Sequence, residues 1–172
     1  MSVLDIIRQR RSVRKYRPDA IPDDVLGRVL EAARLAPSGK NSQPWKFILV
    51  RDPQRKIRVA EACRGQMFMA AAPVIFVACG YPDLSYPRQG NYMKSWPIDV
   101  ACAVDHLMLQ ACEEGLGTCW IGAFEESDVK SLLNVPDEVR VLGLTPIGYP
   151  DETPRDRGRK LLRDILCDET FS

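Results

Sequence analysis

Residues 97–114 constrain the fold of this chain more than any other stretch. Pro97 is a good first-turn residue for a helix, and Gly115 and Gly117 are good stops. Between them Val100, Val104, Leu107, Met108 and Ala111 recur at helical spacing, and small Ala101, Ala103 and Cys112 widen the stripe. A helix that is apolar around most of its girth sits in a core or at a subunit interface. The rest of the chain has to supply its cover.

The flanking elements can be read in turn. Ser2-Val3-Leu4-Asp5 has the form of a capping box and opens a short helix to about Arg10. Pro22 is expected in the first turn of a second helix, which carries Val25, Leu26, Val29, Leu30 and Ala33 and stops at Pro37-Ser38-Gly39. Residues 54–70 read as one helix, with Ile57, Ala60, Cys63 and Met67 along one side. Residues 46–50, 118–124 and 139–147 read as strands, and 73–79 as a strand buried on both faces. Residues 128–133 form a short helix. This order mixes helices and strands without strict βαβ alternation, which favours an α+β fold with a sheet packed on long helices. No linker divides the chain, so one domain over 1–172 is expected.

Residues 80–96 form a long connection carrying Tyr81, Tyr86, Tyr92 and Trp96. Loops of that length in compact domains are functional or disordered. Four aromatics argue for packing against something.

The net charge of +1 rules out bulk electrostatic binding of polyanions. The distribution of charge says more than the sum. Residues 8–17 and 155–163 are rich in arginine, whereas between Gln66 and Asp128 the only basic side chains are Arg88 and Lys94. If the two ends meet, they build one anion site. Six cysteines without a C-x-x-C pair, mostly in apolar runs, are expected as thiols in a reducing cytosol. A single histidine and no paired ligand spacing argue against a metal site. The N-terminus lacks the apolar stretch of a secretory signal, and no run approaches 18 apolar residues, so a cytoplasmic protein without a membrane span is expected.

Three segments carry candidate chemistry. Arg10-Arg11-Ser12-Val13-Arg14 offers guanidinium forks that grip phosphate, with a hydroxyl beside them. Alone, such a cluster reads first as a solvated basic face or a nucleic-acid patch. Arg157, Arg159 and Lys160 share that ambiguity. The run Pro37-Ser38-Gly39-Lys40-Asn41-Ser42-Gln43-Pro44-Trp45 follows a helix exit. Gly39 permits close backbone approach, and Asn41 and Gln43 suit the edge of a heterocycle. A helix cap and turn would explain Pro37 and Gly39, but not Ser-x-x-x-Gln-Pro-Trp. Gly115-Leu116-Gly117 is no dinucleotide fingerprint, because it leaves a helix and enters a strand and has Trp120 at the third glycine position. Gly39-Lys40 lacks the earlier glycine and the Ser/Thr of a phosphate-binding P-loop. His106 lies mid-helix without a Gly-x-Ser-x-Gly partner and reads as structural.

Taken together, these segments resemble the nitroreductase family of flavoproteins over essentially the whole chain. The resemblance lies in Arg10-Arg11-Ser12-Val13-Arg14, in Pro37 through Trp45, in Glu114-Gly115-Leu116-Gly117-Thr118 leading to Trp120-Ile121-Gly122, and in Gly148-Tyr149-Pro150 followed by Arg157-Gly158-Arg159-Lys160. It implies a three-layer sandwich, with an antiparallel-rich sheet flanked by helices, in an intertwined homodimer with FMN between subunits. Arg10, Arg11, Ser12, Arg14, Arg157 and Arg159 would then contact flavin or its phosphate. Pro37, Ser38, Gly39 and Asn41 would reach the partner's flavin, with Gln66, Ile121 and Gly122 as further contacts. Tyr86, Tyr92 and Trp96 are the candidates for the substrate slot. No catalytic side chain is demanded, because flavin carries the redox chemistry, and Arg14 would have an electrostatic role. The implied activity is electron transfer from NAD(P)H through FMN to a small planar acceptor (a nitroaromatic, a quinone or an activated alkene). The alternatives are a dehalogenase or flavin-degrading enzyme of the same fold, or a non-enzymatic FMN or nucleic-acid binding module; nucleic acid and membrane are not expected partners. The chain lacks the insertions of longer family members and has Gly158 and Leu161 where prolines are common.

Overall fold

The computed structural model describes residues 2–171. Helix α1 (Val3–Gln9) opens as the sequence predicts: the Ser2 hydroxyl accepts the Asp5 N–H at 3.2 Å, and the Asp5 carboxylate accepts the Ser2 N–H at 3.0 Å. Helix α2 spans Asp23–Arg34. Pro22 stands one place earlier than expected, as the cap: its carbonyl accepts the Leu26 N–H, and Asp23 and Asp24 fill the first turn, where the helix dipole favours acids.

The central sheet has the order β1-β2-β4-β3, every neighbour antiparallel. Its strands are β1 (Trp45–Val50), β2 (Val74–Gly80), β3 (Gly117–Thr118) and β4 (Arg140–Gly148). Every residue of β2 is buried, as its continuous apolar run requires for a strand covered on both faces. On one face Ile75, Val77, Val141 and Leu144 pack with Val59, Met69 and Val129 of helices α3 (Pro53–Ala62), α4 (Phe68–Ala71) and α6 (Glu126–Leu133). On the other, Phe76, Ala78 and Ile147 pack with Val29 and Ala33 of α2 and with Val100, Ala103, Val104 and Leu107 of α5 (Trp96–Glu113). The result is the expected three-layer α+β sandwich. The sheet and α2 supply the cover that the α5 stripe needs, so that face of α5 is core within one chain.

Two expected elements come out differently. Residues 54–70 are two helices, because Arg64 and Gly65 take left-handed backbone (φ 57° and 70°) and end α3 before α4 begins. The strand expected over 118–124 is only β3 plus one isolated pairing of Ile121 with Leu144. Gly143 leaves room on β4 that Trp120 and the Ile121 carbonyl occupy, so the chain folds over the sheet there and does not extend it.

Candidate functional site

The two ends of the chain meet at the β3 edge. Leaving α1, the backbone runs extended, with the Val13 N–H bonded to the Thr118 carbonyl at 2.9 Å. The returning segment after β4 lies beside it: Arg17 N–H donates to the Tyr149 carbonyl and Asp151 N–H to the Lys15 carbonyl, each at 2.9 Å. The Glu152 carboxylate accepts the backbone N–H groups of both Arg14 and Lys15. Arg11 pairs with Asp156 at 2.7 Å. Backbone pairing and side-chain bridges together fix the basic N-terminal segment against the basic tail.

This juxtaposition forms a cavity of about 310 Å³ lined by Arg10, Arg11, Ser12, Arg14, Glu152, Pro154, Arg155, Arg157 and Arg159. Among the described residues no ion pair joins Arg10, Arg14, Arg155, Arg157 or Arg159 to a carboxylate. Glu152, the one acidic lining residue, is occupied by backbone N–H groups. The cavity is therefore a strongly cationic pocket suited to an anion with several oxygens. The hydroxyl of Ser12 lies beside the Cys119 thiol, which burial pushes up while Arg14 pulls it back. Such a thiol does not supply a thiolate nucleophile. Burial also holds the Tyr16 hydroxyl protonated, and it donates to the Val13 carbonyl at 2.6 Å.

The 37–43 loop lies elsewhere. Its backbone is unusual: Lys40, Asn41 and Gln43 all have left-handed φ (55°, 56° and 46°). Non-glycine residues rarely adopt this backbone, and such strain gathers at functional sites. The loop is held from within, by Gln43 N–H donating to the Ser38 hydroxyl at 2.9 Å and the Gln43 amide donating to Asn41. It is held from below by the Gly39 N–H, which donates to Asp99 at 2.9 Å in the first turn of α5. Arg10 and Arg11 of the arginine pocket also line a neighbouring groove with Cys112, near the other end of α5. From Asp99 to Cys112 a helix rises about 20 Å. Within one chain, the loop and the pocket stand at opposite ends of that helix.

The Gln66 amide donates to the carbonyls of Cys63 (2.9 Å) and Ala123 (3.1 Å), which places it beside Gly122. Ile121 is buried and exchanges backbone bonds with Leu144. In the 80–96 connection, a short 3₁₀ turn (Pro82–Leu84) leads to a small turn closed by Gln89 and Met93, with Tyr92 at its tip, 80% exposed. Tyr86 is half-buried against Gly39, under the Lys40 ammonium at 5.3 Å. The Trp96 ring lies on Gly80, where a Cβ would fall 2.6 Å from it, and joins the α5 core.

The fold is matched by known proteins. The nitroreductase family model matches residues 7–79 and 65–149. This chain belongs to the nitroreductase family. Among family relatives, the NADH dehydrogenase of Thermus thermophilus is 30% identical, covering 84% of this chain and 84% of the relative. The iodotyrosine deiodinase of Thermotoga neapolitana is 27% identical, covering 86% of this chain and 88% of the relative. An FMN-dependent nitroreductase from Clostridium difficile superposes with a TM-score of 0.85 at 29% identity, over 98% of this chain and 99% of that one.

Sequence reasoning missed three residues of the pocket and the loop: Arg155, Glu152 and Asp99. Arg155 lies in the basic tail already noted and could have been named with its neighbours. Glu152 and Asp99 gave no signal, because their partners are 138 and 60 positions away in the chain.

Proposed function

We propose that this protein is a homodimeric oxidoreductase that binds FMN at the arginine pocket and passes electrons from NAD(P)H to a small planar acceptor in a ping-pong cycle. The observation that carries this reading is the convergence of two arginine clusters, distant in sequence, on one cavity with a single acidic lining residue. Such a pocket fits a phosphate-bearing cofactor. Its five arginines without an ion pair among the described residues would otherwise repel one another in a half-enclosed space. The family supplies the identity of the cofactor, and the FMN-dependent relative agrees with it.

When bound, FMN supplies the hydride- and electron-accepting centre. The protein's part is binding, orientation and electrostatics. Arg10, Arg11, Ser12, Arg157 and Arg159 hold the phosphate end. Arg14, which lines the same cavity, would add positive charge that favours the reduced, more negative form. The 37–41 loop, too far from the pocket in its own chain, serves the pocket of a second copy. Tyr86 and Tyr92 border the space that a planar acceptor enters.

The test is direct. The purified protein should be yellow with an FMN spectrum, bleach anaerobically with NADH or NADPH, and recover its colour with a quinone. Arg10→Ala and Arg159→Ala should each weaken FMN binding about tenfold to a hundredfold, the loss expected for one charge-assisted contact. Unchanged FMN affinity in both variants would sink the shared pocket. A second reading, reductive dehalogenation, is favoured by the likeness to the deiodinase. Halide release from an iodinated tyrosine under anaerobic reduction would select it.

A further inference from the structure

Asp99 is almost fully buried, yet it carries a carboxylate. Burying such a group is costly unless hydrogen bonds satisfy it. Its position in the first turn of α5 helps, because the dipole of a long helix favours negative charge there. Its two oxygens face two different segments. Oδ1 accepts the Gly39 N–H at 2.9 Å, and Oδ2 accepts the Ser95 hydroxyl at 2.6 Å. The Ser95 oxygen in turn accepts the Tyr86 N–H at 3.1 Å, while Ser95 N–H donates to the Tyr86 carbonyl at 2.8 Å. One buried carboxylate thus ties the strained loop at Gly39 to the base of the aromatic segment at Tyr86.

The packing around this relay leaves no slack. A Cβ on Gly39 would lie 2.8 Å from the Tyr86 Cβ and 3.0 Å from the Ser95 oxygen. The Lys40 ammonium covers the Tyr86 ring from the other side. Left-handed residues persist only where the surroundings over-determine them, and Asp99 adds a hydrogen bond that holds the loop from outside itself.

We propose that Asp99 is a positioning residue that makes the 37–43 loop and the 85–95 segment one mechanical unit, so that cofactor contact and acceptor selection are set together. This rests on the reading above, in which the first segment meets flavin and the second borders the acceptor.

Hydrogen exchange on the apo protein tests the link without any cofactor. Ser95→Ala cuts the relay on the aromatic side and leaves the Gly39–Asp99 bond intact. It should raise exchange in both 38–43 and 85–93, as should Asp99→Asn, while Asp105→Asn, on the same helix but exposed, should change neither. Loosening of 85–93 alone in Ser95→Ala overturns the proposal, as does no change in either segment. FMN titration of the apo protein should show roughly tenfold weaker binding in Asp99→Asn. With FMN saturating, Ser95→Ala should shift the ratio of kcat/KM between a small quinone and a bulkier nitroarene. An unchanged ratio with an unchanged FMN affinity overturns the functional half. If the wild-type protein binds no FMN, the reading of the site fails, and the exchange experiment still decides the link.

Discussion

Glu126 shows how a single side chain joins two elements far from the pocket. Its carboxylate accepts from Arg140 Nε at 2.8 Å and a second guanidinium nitrogen at 2.8 Å, and from the Val141 N–H at 2.9 Å. It thereby pins the start of α6 to β4. The Arg140 guanidinium holds the Glu126 carboxyl below its ordinary 4.5, against a smaller upward push from burial. A carboxyl depressed on folding adds stability above its unfolded value, and that stability is lost as pH falls through the folded value. Arg140 is half exposed, so screening reduces the effect to about 1 kcal/mol. Urea unfolding at pH 7 should therefore find Glu126→Gln less stable by about that amount. The gap should close as the pH drops below 4.5. A gap that persists fully in strong acid would contradict this account. No feature of the sequence marked this pair, since Glu126 and Arg140 stand on different elements, 14 positions apart.

At the scale of elements, the arginine segment is seated by two glycines that face each other across the sheet. Gly117 of β3 is in register with Gly148 of β4. A Cβ on Gly117 would lie 2.8 Å from Val13, and one on Gly148 would lie 2.6 Å from Pro73 and 3.1 Å from Tyr16. The absence of both side chains lets the extended segment with Val13 and Tyr16 lie directly on the strand edge. Gly117→Ala should force Val13 outward. We expect a loss of about 1–3 kcal/mol from overpacking, read by thermal or urea unfolding, with weaker FMN binding because Ser12 and Arg14 move with Val13. Full stability with wild-type FMN affinity would show that the seat is loose. The sequence carried much of this level. The capping box, the β2 run, the α5 stripe and the charge at both ends of the chain all report short-range periodicity or composition. It failed where tertiary geometry overrode a period. The apolar spacing of Ile57, Ala60, Cys63 and Met67 continues through Arg64-Gly65, yet left-handed backbone there breaks the helix. Gly65 was the visible warning. The strand expected after Thr118 ends early because Trp120 folds onto Gly143, a contact between elements that no local pattern encodes.

At the scale of the molecule, clusters of apolar side chains among the described residues stand exposed in one chain. In the tail, Leu161, Leu162, Ile165 and Leu166 are each more than half exposed. On the body, Val3, Leu4 and Ile7 of α1 and Leu35 are each about half exposed or more, around a groove of about 320 Å³ between α1, α2 and α5. The flavin reading asks for a second copy on independent grounds, because the 37–41 loop and the arginine pocket stand about 20 Å apart along α5. A two-fold axis across the middle of that helix would set the loop of one chain over the pocket of the other. Two-fold contacts are self-complementary, so every such contact occurs twice. Burying these four aliphatic side chains twice over, once per chain, contributes at most roughly 12–24 kcal/mol, against association and ordering costs of about 4–15 kcal/mol or more. Removing residues 161–172 keeps Arg157 and Arg159 and takes away the apolar arm. The full chain should sediment as a dimer at micromolar concentration, with an interface above about 2,000 Å² in total. The shortened chain should dissociate at concentrations at least a hundredfold higher and lose FMN as it does, because the loop and the pocket part company. A full-length monomer that keeps its FMN on dilution would overturn the two-chain site.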